Sequence, residues 1–487
     1  MKKILIMLIL AAMVLGMVAC APNGDPSGTG GAGDTTGAND QGGFLAGFGE
    51  GEITPNYSAL LGGFGDKDRF HTGNRTYIYA HVLAVSDEAG NTALMIATDM
   101  LSMSETLVAN IAGWCETTYN IPAANILISA SHSHETPSVD NKYIEYITPI
   151  IQNAIQDAMD DRAPAEMYIN TVQTEAMNFV RHYWNAEGEM YAPNYGSKGS
   201  GLVSHETDAD NDMQLLKFER GEEKKPIIVV NFQGHPHIGA SGGDKNISAN
   251  WPGVMRDEVK KEIDCNIMYF SGAGGNVNSS SYIEEENVSK DYKDHGKRAA
   301  KYVIKAEDSY TKVETGTIKA KQVTNTYEAD HSMDHLYDIA SKVIVEYNKS
   351  LAAGMEAAKQ YPELHSVYHA NAIVKKYKVG PTQDMTIGAI SIGDVVFTVH
   401  PYELFDTNGM EIKGGTVGNE NYAAAEQQEN PYKMTIVTTM SNGSNGYIPS
   451  ALNCKNGSYA VDVTNFAHGT AERLVTEYLN ILNELHG

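Results

Sequence analysis

The chain has 487 residues, 42% of them hydrophobic, and 61 acidic against 36 basic side chains give it a net charge of −25. That length is ample for one large or two medium domains, and that charge makes nucleic acid a poor partner. With four cysteines, disulfides do not organise the fold, and no pair has the spacing of a thiolate zinc site.

Lys2 and Lys3 precede an apolar stretch from Ile4 to Val18, shorter than the roughly 20 residues of a spanning helix and suited to a secretory signal. Met17-Val18-Ala19-Cys20 resembles the bacterial lipobox, with Met17 in place of the usual leucine. Residues 1–19 are therefore expected to be a lipoprotein signal peptide, and Cys20 the lipidated first residue of an exported, cell-surface protein anchored to a membrane. The other reading is an ordinary secretory signal with a chance cysteine. Removal of Lys2 and Lys3 takes the charge to −27. Ala21 to Gly43 holds eight glycines and, prolines apart, no apolar side chain larger than alanine. Such a segment cannot bury enough surface to fold, and as a flexible tether would span about 25 Å. Residues 20–43 are read as that tether and 44–487 as a single large catalytic domain.

Thr76–Val85 and Thr92–Thr98 flank turn residues Asp87–Asn91 and read as a hairpin. Ser102 with Glu105 has the spacing of a capping box, followed by Leu107, Ile111 and Trp114 on one helical face. Ile144, Ile147, Ile151 and Ile155 mark another helix, and Trp251–Ile263 a third. His331–Tyr361 reads as a helical hairpin hinged near Asn348–Gly354. Ile387–Ile392 and Val395–Val399 pair across Gly393-Asp394, and Ala471 to Leu482 form a closing amphipathic helix. The pattern is α/β, a mixed sheet flanked by helices.

Five polar motifs each follow an apolar, β-rich run. They are His132-Ser133-His134, His235-Pro236-His237, Gly272 to Asn278, His400-Pro401-Tyr402-Glu403 and Ser441 to Tyr447. Ligand groups gather where the carboxyl ends of such strands open into loops. On a strand end, positions i and i+2 point the same way, so His132 and His134 can address one point, as can His235 and His237. Either pair alone is weak, since most such pairs are surface or capping histidines. A catalytic zinc site often adds one carboxylate to its histidines, and Glu403 is the natural one.

Gly47-Phe48-Gly49-Glu50-Gly51-Glu52-Ile53-Thr54-Pro55, Tyr79-Ala80-His81, Thr98 to Ser102, Ser129 to His134, His235-Pro236, Gly274 to Asn278, Glu403 and Asn445-Gly446-Tyr447-Ile448-Pro449 occur in that order. The series resembles the N-terminal catalytic domain of the neutral/alkaline non-lysosomal ceramidase family, without a counterpart of its C-terminal immunoglobulin-like domain. The resemblance implies a zinc ion held by His132, His235, Glu403 and Tyr447. It further implies His134 as proton carrier, Arg181 facing the substrate carbonyl and Tyr459 supporting the oxyanion. The alternative readings are Arg181 as a surface ion pair and Tyr459 as a half-buried packing residue.

The expected activity is zinc-dependent hydrolysis of an N-acyl amide, in ceramide or a related sphingolipid or N-acyl lipid. Asn276-Val277-Asn278 stands where the family commonly has Asp-Val-Ser, so no catalytic serine is expected there. Asn250 replaces a common aspartate. Tyr402 replaces a common glycine before Glu403, which would narrow the pocket mouth. The alternatives are a zinc hydrolase of another ester, peptide or acylated amino sugar, and a surface-binding lipoprotein that has lost the chemistry.

Overall fold

The computed structural model describes residues 43–191, 201–283, 288–289, 291–414 and 429–487. The expected signal peptide, Cys20 and the tether as far as Gly42 lie outside the described residues. Gly42–Gly487 forms one compact unit. The mixed α/β architecture is as expected, but its strands are divided among three principal sheets rather than gathered into one.

The first sheet has the order Ile126–Ala130, Thr92–Thr98, Tyr79–Ser86, Leu45–Glu52, Ala163–Pro164. The expected hairpin is its antiparallel centre, pairing Ala80 with Thr98 through Ser86 with Thr92. The second has the order Asn266–Ser271, Ile227–Phe232, Asp212–Glu219, Glu166–Gln173, Thr311–Val313. The third runs Ile318–Glu328, Thr382–Ile392, Val395–Val399, Met434–Thr438.

Each sheet contains one parallel pair. Thr92–Thr98 runs with Ile126–Ala130, Ile227–Phe232 with Asn266–Ser271, and Val395–Val399 with Met434–Thr438. A parallel pair needs a crossover, supplied here by helices Glu105–Tyr119, Asn250–Glu262 and Asp406–Lys413 respectively. Strands so covered are buried on both faces, which is why they read as continuous apolar runs. Leu83, Met95 and Leu127 from the first sheet pack with Val229 and Met268 from the second and Phe397 and Ile436 from the third in one core.

The three carboxyl ends are tied together by hydrogen bonds. The Ser129 hydroxyl donates to the Thr439 carbonyl at 2.9 Å, the Thr439 amide to Ser271 at 3.1 Å, and the Asn231 amide group to Val437 at 2.9 Å. At the end of Thr92–Thr98, Asp99 forms a buried two-pronged ion pair with Arg256 of the second crossover helix, at 3.0 and 2.6 Å. All six parallel strand ends thus open onto one region.

Helix Asn141–Asp160 starts on Asp140, whose side chain accepts from the Tyr143 amide, and buries Ile144, Ile147, Ile151 and Ile155 against the first sheet. Each buried isoleucine contributes about 1.5–3 kcal/mol. The glycine alternation of Gly47 and Gly49 permits this approach, because a Cβ at either position would lie 2.1 Å from the Ala158 or Ala154 carbonyl oxygen.

Two expectations need correction. Ser102 does not cap the first crossover helix. That helix begins at Glu105 behind Ser104, with no side-chain cap. The Met100 and Leu101 carbonyls are instead engaged by His132, which holds the chain out of the helix. The helical hairpin over 331–361 is present as Tyr337–Tyr347 and Leu351–Ala358, but a third helix, Val367–Lys376, packs against both. Cys115, Cys265 and Cys454 are free thiols. No helix among the described residues is long and apolar enough to cross a membrane.

Candidate metal centre and cavity

Beyond Ala130 the chain bends sharply, and His132 adopts a left-handed conformation with φ of 69°. For a residue other than glycine this costs on the order of 1–3 kcal/mol and persists only where its surroundings enforce it. Here the enforcement is visible: the His132 amide donates to Met100 at 2.8 Å and the Ser133 hydroxyl to Ser248 at 2.8 Å. His132 and His134 therefore converge through a kink beyond the strand, not through strand alternation. The His235 amide bonds Val277 at 3.1 Å, docking that loop on the Gly272–Asn278 loop. Glu403 and Tyr447 are register partners in a short parallel ladder, so their side chains emerge side by side.

The histidine tautomers follow from their partners. His132 Nδ1 lies 2.6 Å from the Leu101 carbonyl and His235 Nδ1 2.9 Å from the Val277 carbonyl. A carbonyl only accepts, so each Nδ1 carries the proton and each Nε2 presents a lone pair. Those two Nε2 atoms stand 3.3 and 3.4 Å from the same oxygen, Glu403 Oε2. His235 Nε2 and Glu403 Oε2 are both buried without a hydrogen-bond partner. Orphaned inward lone pairs on imidazoles fixed from behind by carbonyls are the donor set of a cation site. His134 adds to it: its Nε2 is 3.4 Å from that of His132, and ligand atoms of His132, His134 and His235 all lie within 4.8 Å of one another. The arrangement fits a small divalent cation.

The charges agree with that fit. Burial alone would raise the Glu403 pKa, but His132 and His235 hold it well below the usual carboxylate range. Burial disfavours a charge on His132, yet the Glu403 carboxylate and the Leu101 carbonyl outweigh it and raise that pKa. Burial and Arg181 lower His235 to about 4 against the pull of Glu403. Burial and the surrounding histidines keep His134 well below 6.5.

Arg181 is 3% exposed and no surface ion pair. Its Nη2 donates to Gly275 at 2.7 Å, and its guanidinium lies 5.5 Å from the centre of the Tyr447 ring. Burial and Glu403 push the Tyr447 hydroxyl well above 10, with Arg181 opposing them. Tyr459, on the short helix Tyr459–Val463, meets the Tyr447 ring edge-on at 5.8 Å. All seven residues singled out in the folded part, namely His132, His134, Arg181, His235, Glu403, Tyr447 and Tyr459, come together.

Six of them, all but His235, line a cavity of about 1240 Å³. Phe64, Ile238, Tyr282, Tyr347, Tyr368 and Met440 supply apolar and aromatic wall. Sequence reasoning missed Phe64, Tyr347 and Tyr368. The available signal was Gly62-Gly63-Phe64-Gly65: Gly63, with φ of 97°, passes so close that a Cβ would lie 2.9 Å from the His134 ring.

Most of the remaining residues of the motifs lie elsewhere. His400 is fully buried, 4.0 Å from the Tyr478 ring, with no part in the cavity. Tyr402 turns into the core beside Leu404 and Ile448, so it does not narrow the mouth. Asn276 is buried and donates to Asp406 at 2.6 Å, while Asn278 lines the cavity. Asn250 donates to Glu135 at 2.8 Å, a structural contact.

No protein-family model and no curated protein sequence matches the chain. Among solved structures, the crystal structure of neutral ceramidase from Pseudomonas aeruginosa aligns with a TM-score of 0.68 and 13% identity, over 92% of this chain and 75% of that one. A ceramidase complexed with C2 aligns with a TM-score of 0.65 and 12% identity, over 91% of this chain and 75% of the other. At such identity the likeness speaks to architecture alone, and on that level the chain has a ceramidase-like fold.

Proposed function

We propose that the protein is a zinc-dependent hydrolase of N-acyl amide bonds, acting on ceramide or a related N-acyl lipid. The observation that carries this reading is the convergence of His132 and His235 Nε2 on one Glu403 oxygen, beside Arg181 and Tyr447, at the base of a cavity roomy enough for an acyl chain. The ceramidase-like fold supports the amide class.

In this reading His132, His235, Glu403 and Tyr447 hold the ion, which when bound supplies Lewis acidity and a water nucleophile at neutral pH. Arg181 and the Tyr459 hydroxyl face the amide carbonyl and stabilise the charge that gathers on its oxygen, the more strongly for being shielded from water. His134 Nε2 takes up a proton and delivers it to the departing amine nitrogen. Phe64 and Tyr368 cover the acyl side and exclude water. Export on an N-terminal signal and anchoring through a lipid on Cys20 belong to the same proposal, and would keep the cavity near membrane lipids.

The test is a panel of ceramides, N-acyl amino acids, esters and acetylated amino sugars, offered to the full chain with zinc. Release of fatty acid from lipid amides is expected, with loss of activity and of the zinc bound at this centre in His132→Ala. Turnover confined to esters or acetylated sugars would overturn the substrate class. Metal-free wild-type protein that hydrolyses nothing would favour a binding role.

A further inference from the structure

His365, His369 and Asp462 form a second cluster outside the centre just described. One ligand atom from each lies within 4.8 Å of the others. His365 precedes helix Val367–Lys376, His369 lies in its first turn, and Asp462 comes from helix Tyr459–Val463. His369 is fully buried, and its Nε2 has no hydrogen-bond partner. A buried ring nitrogen with no partner is costly unless something fills the position. His365 Nδ1 stands 2.8 Å from Asp462 Oδ2, and the His365 side chain is 54% exposed, which opens one side of the cluster to solvent.

From this geometry we propose that His365, His369 and Asp462 make a second divalent-cation site, with zinc as its ion, that clamps helix Val367–Lys376 to the helix carrying Tyr459. Two imidazoles and one carboxylate are a recurrent set for zinc and its neighbours in the first transition row, and the exposed side supplies water as the remaining ligand. His369 Nδ1 accepts a long 3.3 Å bond from the His365 amide, so that Nε2 carries the proton. Loading shifts that proton to Nδ1 and gives up this bond, which lies outside the helix and at an exposed residue.

The site would act on the cavity through Tyr368. That side chain sits beside His369, donates to the Phe64 carbonyl at 3.0 Å and meets Tyr459 edge-on at 6.2 Å. Fastening the two helices fixes the distance between two aromatic walls of the cavity. The proposal does not rest on the catalytic reading, because none of its three ligands belongs to the first centre.

The experiment measures zinc per chain after zinc loading and desalting, in wild type, His132→Ala, His365→Ala and the double variant. His365 is exposed, so its replacement spares the core; Asp462→Asn provides an isosteric check. Wild type should hold about two zinc ions, each single variant about one and the double variant about none. Added zinc should raise the thermal midpoint of His132→Ala but not of the double variant. If His365→Ala and Asp462→Asn retain as much zinc as wild type, or no variant holds any, the second site is refuted. If wild type and His132→Ala both hold one ion and His365→Ala none, the second site stands and the first centre fails.

Discussion

Asp406 is fully buried at the start of the third crossover helix. Its Oδ1 accepts from the Asn276 amide group at 2.6 Å and the Thr407 amide at 2.8 Å, while Oδ2 has no partner. Burial outweighs those two bonds and raises its pKa from 3.8 to about 7. A carboxyl raised in the folded state binds its proton more tightly there than in the unfolded chain. Its contribution is fully present below pH 3.8 and lost as the pH climbs through about 7. At about 1.4 kcal/mol per tenfold change in the ionisation constant, the full loss is about 4 kcal/mol, of which about 3 kcal/mol falls between pH 5 and pH 8. Asp406→Asn keeps an oxygen for both bonds and carries no charge. Its stability relative to wild type should therefore grow by about 3 kcal/mol across that window. Urea unfolding followed by tryptophan fluorescence at each pH measures the difference. A constant difference from pH 5 to pH 8 would refute an uncharged Asp406. The acid also touches the site: the Asn276 carbonyl accepts from the Arg181 amide at 2.8 Å, so ionisation should loosen the seat of Arg181.

Replacing one partner of a buried ion pair strands the other charge, so Asp99→Asn should cost about 3–5 kcal/mol through Arg256, seen as a lower denaturant midpoint. A loss below about 1 kcal/mol would show the pair to be solvated. Gly49→Ala forces its Cβ against the Ala154 carbonyl and should destabilise by at least about 1–3 kcal/mol, whereas equal stability would contradict the tight seating of helix Asn141–Asp160. Tyr402→Phe removes a hydroxyl 3.1 Å from His400 Nδ1 and should cost about 1–3 kcal/mol in thermal unfolding. Since Tyr402 faces the core, its loss should leave KM unchanged, and a shifted KM would return it to the cavity mouth.

The five motif-bearing strands were legible because parallel strands covered on both faces are uninterrupted apolar runs, and their loops are where polar residues resume. Glu403 was found by this route, and Arg181 and Tyr459 only through family resemblance. What escaped was long-range. The capping-box spacing of Ser102 and Glu105 misleads because His132, remote in sequence, takes the Met100 and Leu101 carbonyls and keeps that stretch out of the helix. The division into three sheets depends on which strand edges meet, which alternation does not encode. The cavity wall from Tyr347 and Tyr368 comes from a helical unit whose own small core leaves no trace of where it docks.

His134 decides between two ligand sets that share His132 and His235. As a third histidine it would complete a set with ligand atoms within 4.8 Å; as a proton carrier it leaves the remaining positions to Glu403 and Tyr447. The environment favours the second role. His132 and His235 are each fixed by an Nδ1–H bond to a carbonyl, the usual device for holding a ligand, whereas His134 Nδ1 is buried with no partner at all. Its ring is held instead by packing, edge-on to Phe64 at 5.5 Å and over Gly63. A ring placed by packing can move its proton without disturbing a coordination bond. His134→Ala should therefore keep its zinc at the wild-type stoichiometry while kcat for an amide falls by about 10²–10⁴. Elemental analysis of the purified variant separates the roles without reference to turnover: loss of zinc in His134→Ala, matching that in His132→Ala, would make His134 a ligand and shift the proton to His237, whose ring lies 5.3 Å away on the cavity wall.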